Sequence, residues 1–186
     1  MLSVPPKQRI TKEMILESAY KVFCEHGMEN VNARSVAREL NCSTQPIFSY
    51  YKGMGELKEC LEEQASECFR NELNDAFQAE ATETAIYEAY IRFAANEPQL
   101  FRHLFIETKL GAGILDENPD VSERVKELVK EKCGLDQENT DIFCRTLAVC
   151  AHGLAARIAM KETDMTPAEA ADHLNALKDR ELRALH

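Results

Sequence analysis

Polar and aromatic side chains are concentrated between residues 43 and 52, where the chain reads STQPIFSYYK. The Gln45 amide could form two hydrogen bonds with an adenine edge, and Thr44 could contact a thymine methyl group. Hydroxyl and ammonium groups in the same stretch could bind phosphate oxygens. This combination predicts contact with DNA, although Tyr50 could equally pack on the protein surface. The candidate DNA-binding residues are Asn32, Arg34, Ser43, Thr44, Gln45, Pro46, Phe48, Ser49, Tyr50 and Lys52.

The distribution of charge favours the N-terminal end as the DNA-binding part. The formal net charge of -10 opposes binding to a polyanion. Residues 1 to 58, however, hold eight Lys and Arg side chains against six Asp and Glu, so the acidic excess lies beyond them. Lys7 and Arg9, which precede the first predicted helix, could add phosphate or minor-groove contacts.

No group of residues predicts catalysis or metal binding. His103 and Glu107 are four residues apart, a spacing that can hold a metal, but no third ligand is near, so an ordinary surface pair is expected. A nucleophile with a base and an orienting group cannot be picked out. We therefore expect neither an enzyme nor a cofactor.

The cysteines and the apolar runs favour a cytoplasmic protein. The seven cysteines are odd in number and form no Cys-x-x-Cys motif, so we expect reduced thiols. The N-terminus lacks the apolar core of a signal peptide, and we expect no membrane span because no apolar run approaches about 18 residues. Cys42 could sense oxidation because it precedes a predicted helix, with simple packing as the alternative.

Three short helices are predicted to position the candidate side chains. The first covers 11 to 26 and stops at Gly27, which we expect in the left-handed αL conformation. The second covers 32 to 41 and has asparagine at both ends. Ser43 is expected to cap the third, with Pro46 in its first turn. Three helices joined by tight turns predict a helix-turn-helix.

The rest of the chain is also predicted to be helical. A long helix after Gly53 carries an apolar stripe from Leu57 to Phe77 that includes Cys68. Further helices are predicted at 84–96, 98–110, 120–133, 136–161 and 166–184, with one loop from 111 to 119. The helix at 136–161 is apolar around much of its circumference, so we expect burial on several sides. The fold class is all-α, with about nine helices in a helix-turn-helix domain at 1–53 and a larger helical bundle at 54–186.

Residues 32–57, NARSVARELNCSTQPIFSYYKGMGEL, resemble the DNA-binding segment of the tetracycline-repressor (TetR) family of bacterial regulators. The helix end VFCEHG, the small-residue helix SVAREL and the aromatic pair Phe48 and Tyr51 carry the likeness. NEPQLFRHLF and AHGLAARIA resemble the family's regulatory domain more loosely. The chain departs from the pattern at the turn glycine, inside the recognition helix, at a phosphate-binding tyrosine and at a lysine: these positions are Asn41, Gln45 with Pro46, Phe48 and Met54.

The resemblance implies a ligand-responsive transcriptional repressor that binds a palindromic operator as a homodimer and is released by an unidentified small-molecule effector. It implies that residues 54–186 sense the ligand and dimerise through helices near 136–161 and 166–184. The candidates for ligand contact are Phe69, Tyr87, Tyr90, Phe101, Phe105 and Cys144, for which core packing is the alternative. The alternative function is a helical protein-binding adaptor that has lost DNA binding.

Overall fold

The computed structural model describes residues 10–79, 82–107 and 119–185, without the side chain of Asp120. The predicted loop, up to residue 118, and the basic residues Lys7 and Arg9 lie outside these ranges. The described residues contain nine α-helices and no β-strand, which confirms the predicted all-α fold: α1 Lys12–His26, α2 Ala33–Glu39, α3 Gln45–Tyr50, α4 Met54–Ala79, α5 Ala85–Asn96, α6 Pro98–Arg102, α7 Pro119–Cys133, α8 Gln137–Ala159 and α9 Pro167–Leu185. The chain divides into two compact units, Met1–Gln64 and Ala65–His186.

In the first unit, α1 packs against α2 and α3. The Thr11 hydroxyl caps α1 by accepting a hydrogen bond from the Met14 N–H at 3.3 Å, as predicted. The predicted inner face is buried, with Ile15, Ala19, Val22 and Phe23 in the core. These four apolar side chains hold the short helices together.

Gly27 ends α1 with a positive φ, but the predicted αL conformation is wrong. Its φ of 86° is combined with a ψ of 160°, a region that is essentially restricted to glycine. A Cβ at this position would lie 2.5 Å from a carboxylate oxygen of Glu29. Gly27 starts a 3₁₀ turn at Met28–Asn30, and this turn sets the direction of the chain into α2.

The long helix α4 buries one apolar stripe. Its buried side chains recur every four residues, at Leu57, Leu61, Ala65, Phe69, Leu73 and Phe77. Four-residue steps keep one face of an α-helix inward. Cys68, which was expected on that stripe, is exposed because it falls beside this row.

In the second unit, the helix predicted at 98–110 changes geometry after one turn. Residues 98–102 form α6, and residues 103–107 form a π-helical turn. His103 and Glu107 are expected to be an ordinary surface pair, but His103 is buried. Glu107 instead accepts a hydrogen bond from the Arg102 guanidinium at 2.8 Å.

The helix α8 packs against α5, α6, α7 and α9 through one face. Burial on several sides, which the sequence predicted, is wrong for the single chain, because Ile142 and Val149 are exposed. By length and composition α8 could also cross a membrane, with a mean hydropathy of 1.4 over its best window. Length and composition alone are weak evidence for a membrane span, because the core helix of a soluble protein passes the same test.

The predicted capping box at the start of α9 is present. The Thr166 backbone N–H donates to the Glu169 carboxylate at 2.8 Å, and the Glu169 N–H donates back to the Thr166 hydroxyl at 3.2 Å. The Thr166 hydroxyl also donates to the Glu169 carboxylate at 2.9 Å, and the bonds from the Thr166 N–H and hydroxyl lower the pKa of this carboxyl. The helix then buries Leu174 within the second unit.

Candidate nucleic-acid interface

The turn between α2 and α3 is closed by backbone hydrogen bonds. Cys42 N–H donates to Ala37 O at 2.9 Å, and Asn41 N–H donates to Arg38 O at 3.1 Å. This pair of bonds is the Schellman motif, which requires a left-handed residue between them. Asn41 supplies it with a φ of 51°. An asparagine can therefore stand where a glycine is usual, and the geometry of the turn is kept.

Asn32 caps α2 with its side chain. Its side-chain oxygen accepts hydrogen bonds from the N–H groups of Arg34 and Ser35, each at 3.1 Å, and its NH₂ group donates to Asn30 O. The Ser35 hydroxyl completes a capping box by accepting the Asn32 backbone N–H at 3.0 Å. This network fixes the start of α2, from which the Arg34 side chain is exposed.

The short helix α3 presents its polar face to solvent. Gln45, Phe48 and Ser49 are exposed, whereas Ile47 is fully buried and attaches the helix to the core. Phe48 is 53% exposed. The Ser49 hydroxyl donates to Gln45 O at 3.1 Å. Because Gln45 is exposed, its side-chain amide lies at the outer surface of the helix.

The predicted cap at Ser43 is wrong. Thr44 occupies the N-cap position of α3, with a φ of -72° and a ψ of -14°, and no side chain caps the helix. Pro46 lies in the first turn as predicted. Because proline has no N–H, a cap at Ser43 would lack one of its two usual donors, the N–H at the third helical position. Ser43 is exposed, and Thr44 is half-buried.

Tyr50 and Tyr51 hold the start of α1. The Tyr50 hydroxyl donates to Ile10 O at 3.1 Å, although the residue is 40% exposed. Tyr51 is buried, and its hydroxyl approaches Lys12 O at 3.5 Å while the Lys12 ammonium lies 5.0 Å from its ring centre. Burial raises the pKa of Tyr51. Sequence reasoning missed Ile10 because its partner is 40 residues away in the chain.

A groove of about 1160 Å³ opens beside α3. It is lined by Ile10, Met14, Leu40, Asn41, Cys42, Ser43, Gln45, Pro46, Ser49 and Tyr50. None of these side chains is acidic, although the chain has 32 Asp and Glu residues. The groove therefore combines hydrogen-bonding groups with an absence of negative charge, which suits an anionic polymer.

Lys52 follows α3 and is exposed. Its backbone N–H donates to the Glu56 carboxylate at 2.7 Å, which fixes the entry into α4. The expected donors Ser43, Arg34 and Lys52 are therefore all exposed on the first unit.

In the second unit, four of the six candidate ligand-contact residues form one aromatic cluster. Ring centres of Phe69, Tyr90, Phe101 and Phe105 lie 4.8 to 5.7 Å apart in edge-on or tilted pairs. His152 joins this cluster as a hydrogen-bonded core histidine, with its Nδ1 2.8 Å from the Tyr90 hydroxyl. Burial lowers the pKa of His152, so the neutral imidazole is favoured beside these rings.

The remaining two candidates form a separate pair. The Tyr87 hydroxyl donates to Cys144 O at 3.2 Å in a buried position. Burial raises the pKa of Tyr87 and raises the pKa of Cys144 to about 11. Both groups are therefore neutral at physiological pH.

Solved structures of known proteins share this arrangement of helices. A TetR-like transcriptional regulator from Rhodococcus sp. RHA1 superposes with a TM-score of 0.66 at 16% identity, covering 94% of this chain and 99% of that one. Two proteins assigned as transcriptional regulators also superpose. The one from Pseudomonas aeruginosa PAO1 has a TM-score of 0.62 at 16% identity and coverages of 96% and 97%. The one from Streptomyces coelicolor A3(2) has a TM-score of 0.56 at 14% identity and coverages of 90% and 97%.

No protein-family model and no curated protein matches the sequence. At these identities the superpositions establish the fold and not the activity. The chain has the fold of a TetR-like regulator over nearly its whole length, as the resemblance of residues 32–57 implied.

Proposed function

We propose that this chain is a DNA-binding transcriptional regulator of the TetR type, which represses from a palindromic operator as a homodimer and is released by a small-molecule effector. The observation that supports the proposal is the exposed face of α3 beside a groove without acidic side chains. The three structures that share its fold are described as regulators, and none of them as an enzyme.

In this proposal α3 lies in the major groove and Gln45 reads base edges. A short helix fits that groove, and a glutamine amide matches the acceptor and donor of adenine. Ser49, one turn later on the same face, can bond either a base or a phosphate. The exposed ring of Phe48 packs against thymine methyl groups. Pro46 and Thr44 then pack near the bases at the N-terminal end of α3.

The phosphate contacts come from exposed donors around α3. We assign Arg34, Ser43 and Lys52 to this role because their side chains are exposed on the first unit. Asn32 acts indirectly in this scheme, because both ends of its amide are hydrogen-bonded within the protein. Its cap holds the backbone from which Arg34 projects.

The homodimer would use the exposed face of α8 together with α9. Exposed or half-buried residues of α8 recur in alternating steps of four and three, the spacing of a helix-packing stripe: Ile142, Thr146, Val149, Gly153, Ala156 and Met160. A Cβ at Gly153 would meet nothing within 4 Å, so packing inside the chain does not require glycine there. A second helix approaching closely would require it. A two-fold dimer supplies that helix and pairs two recognition helices.

The effector would bind in the second unit near the aromatic cluster of Phe69, Tyr90, Phe101 and Phe105. These rings offer an apolar surface, and the Tyr90–His152 pair offers a polar group. Hundredfold release of an operator needs a difference of about 2.7 kcal/mol in effector affinity between the two states. Regulation of this size needs few contacts.

The experiment that tests the proposal is selection of random duplexes on the purified chain. The wild type should enrich a palindrome, because two copies of α3 read two half-sites. Gln45→Ala should lose about 1–3 kcal/mol of base discrimination in each half-site. Gln78→Ala is the matched control, because Gln78 is exposed on α4 and is not among the residues lining the groove. It should enrich the wild-type palindrome.

The outcomes separate the two candidate functions. Loss of enrichment in Gln45→Ala and its retention in Gln78→Ala would place the contact on α3. Absence of enrichment by the wild type at low salt would reject DNA binding and favour the protein-binding adaptor, for which exposed Phe48 would be an anchor.

A further inference from the structure

We propose that Lys58 is a positioning residue, which ties α4 to the turn between α1 and α2 and thereby restricts the spacing of the two half-sites that the dimer accepts. The inference rests on the proposed function, because the spacing of half-sites matters only where a dimer binds DNA. Lys58 is a cation of the first unit, and its ammonium group donates a hydrogen bond to a backbone oxygen of the same unit, Met28 O, at 3.0 Å.

The surroundings of Lys58 differ from those of the cations proposed to bind DNA. Lys58 lies in the second turn of α4 and is half-buried, whereas Arg34, Arg38 and Lys52 are exposed. It is not among the residues that line the groove beside α3. Its ammonium group meets Met28, which is buried and lies 30 residues away in the chain. This position suits a bond within the protein better than a contact with phosphate.

The 3₁₀ turn that begins at Met28 also holds the start of α2. The turn ends at Asn30, whose backbone oxygen accepts hydrogen bonds from the Ser35 hydroxyl at 2.8 Å and from the Asn32 NH₂ group at 3.1 Å. Asn32 and Ser35 form the capping box of α2. Lys58 is therefore bonded to the same short segment that fixes α2 in the first unit.

The helix α4 connects this segment to the second unit. It runs unbroken over Met54–Ala79 and so passes from the first unit into the second. Leu57 and Leu61 attach its beginning to the first unit by burying their side chains. Apolar burial is not directional, whereas a hydrogen bond weakens when its geometry changes. The Lys58 bond therefore restricts the angle between α4 and the helices that would meet DNA.

That angle would determine which operators the dimer fits. One base pair added between two half-sites moves one of them by about 3.4 Å along the duplex and rotates it by about 35°. If each α4 is held at one angle, two copies of α3 fit one spacing. If α4 is free to tilt, α3 follows a displaced half-site at a smaller cost in affinity.

The test measures binding to the selected palindrome and to palindromes with one base pair inserted or removed at the centre. The ratio of the two affinities is compared among the wild type, Lys58→Met, Lys58→Arg and Lys21→Met. The wild-type ratio should be about tenfold or more. Lys58→Met keeps an unbranched stem without the donor and should lower the ratio by about threefold or more. Lys58→Arg keeps a charged donor and should restore part of the ratio.

Lys21→Met is the matched control, because it removes the same charge from an exposed ion pair with Glu39 in the first unit. It should keep the wild-type ratio. Loss of stability alone would weaken binding to every spacing equally and leave the ratio unchanged. A direct phosphate contact of Lys58 would instead lower the slope of log affinity against log salt by about 0.9 for each lysine lost. An unchanged ratio in Lys58→Met, or such a fall in its slope, would overturn the inference.

Hydrogen exchange of the free protein supplies a readout without DNA. The Val31 N–H donates to Met28 O at 3.2 Å, so its exchange reports on the turn that Lys58 holds. Lys58→Met should speed this exchange by about threefold or more, and Lys21→Met should not change it. Equal rates in Lys58→Met and the wild type would also overturn the inference. If the wild type selects no duplex, the proposed function fails, and exchange at Val31 still decides whether Lys58 fixes the turn.

Discussion

The exposed stripe on α8 gives a prediction whose size follows from the structure. Val149 is 69% exposed in the single chain. Burying a valine completely is worth about 1.5–3 kcal/mol, so its exposed part would contribute about 1–2 kcal/mol in each copy of a dimer. Two copies contribute about 2–4 kcal/mol. Val149→Asp should therefore raise the dimer dissociation constant about 30-fold to 900-fold, and the buried carboxylates would add to this effect.

Sedimentation equilibrium over a series of protein concentrations measures that constant. Ile106→Asp is the matched control, because Ile106 is also exposed, at 39%, but lies on the π-helical turn and not on α8. It should leave dimerisation unchanged. Equal dissociation constants for Val149→Asp and the wild type, or a wild type that stays monomeric at all concentrations, would refute the assignment of α8 to the interface.

Three further predictions concern the first unit and the cysteines. Asn32→Ala removes the cap of α2 and should cost about 1 kcal/mol, which lowers Tm by about 2–4 °C in a thermal melt; an unchanged Tm would disprove the role of the cap. Asn41→Gly removes the cost of a left-handed conformation at a non-glycine residue and should raise Tm by about 1–3 °C. A lower Tm would contradict the left-handed conformation at this turn. Iodoacetamide at pH 8 should alkylate exposed Cys68 in the native protein and spare Cys144, because burial raises the pKa of Cys144 to about 11. Mass spectrometry identifies the alkylated cysteines, and alkylation of Cys144 before Cys68 would contradict the prediction.

The local signals in the sequence predicted most of the fold. Capping residues mark the starts of α1, α2 and α9 because their side chains bond backbone groups within three residues. Asn41 was recognised as a helix end because few residues adopt a positive φ. Such signals need only the neighbouring residues, and the sequence contains all of them.

The errors arose where local patterns compete. Ser43 and Thr44 are both residue types that cap helices. Because Pro46 has no N–H, a cap at Ser43 would lose a donor, and Thr44 occupies the N-cap position instead. The π-helical turn at His103–Glu107 has no distinctive sequence pattern, because its side chains also suit an α-helix. The apolar character of α8 does not show whether its exposed face meets the same chain or another one.

The candidate sites depended on interactions between distant parts of the chain. Ile10 and Tyr50, or Tyr90 and His152, meet across 40 and 62 residues, and no spacing rule connects them. The sequence selects Tyr50 by its residue type, and the structure adds that its hydroxyl donates to Ile10 O. Residue type predicts which groups can bind, and tertiary structure determines which remain available.

The central claim, that α3 recognises base edges in the major groove, is tested most directly on a duplex retained from the random pool. Each adenine and guanine is replaced in turn by its 7-deaza analogue, which lacks the major-groove N7 acceptor. The wild type should lose about 1 kcal/mol or more at one purine or more in each half-site, and Gln45→Ala should be insensitive at one of those positions. A wild type that binds every substituted duplex with unchanged affinity would contradict the claim.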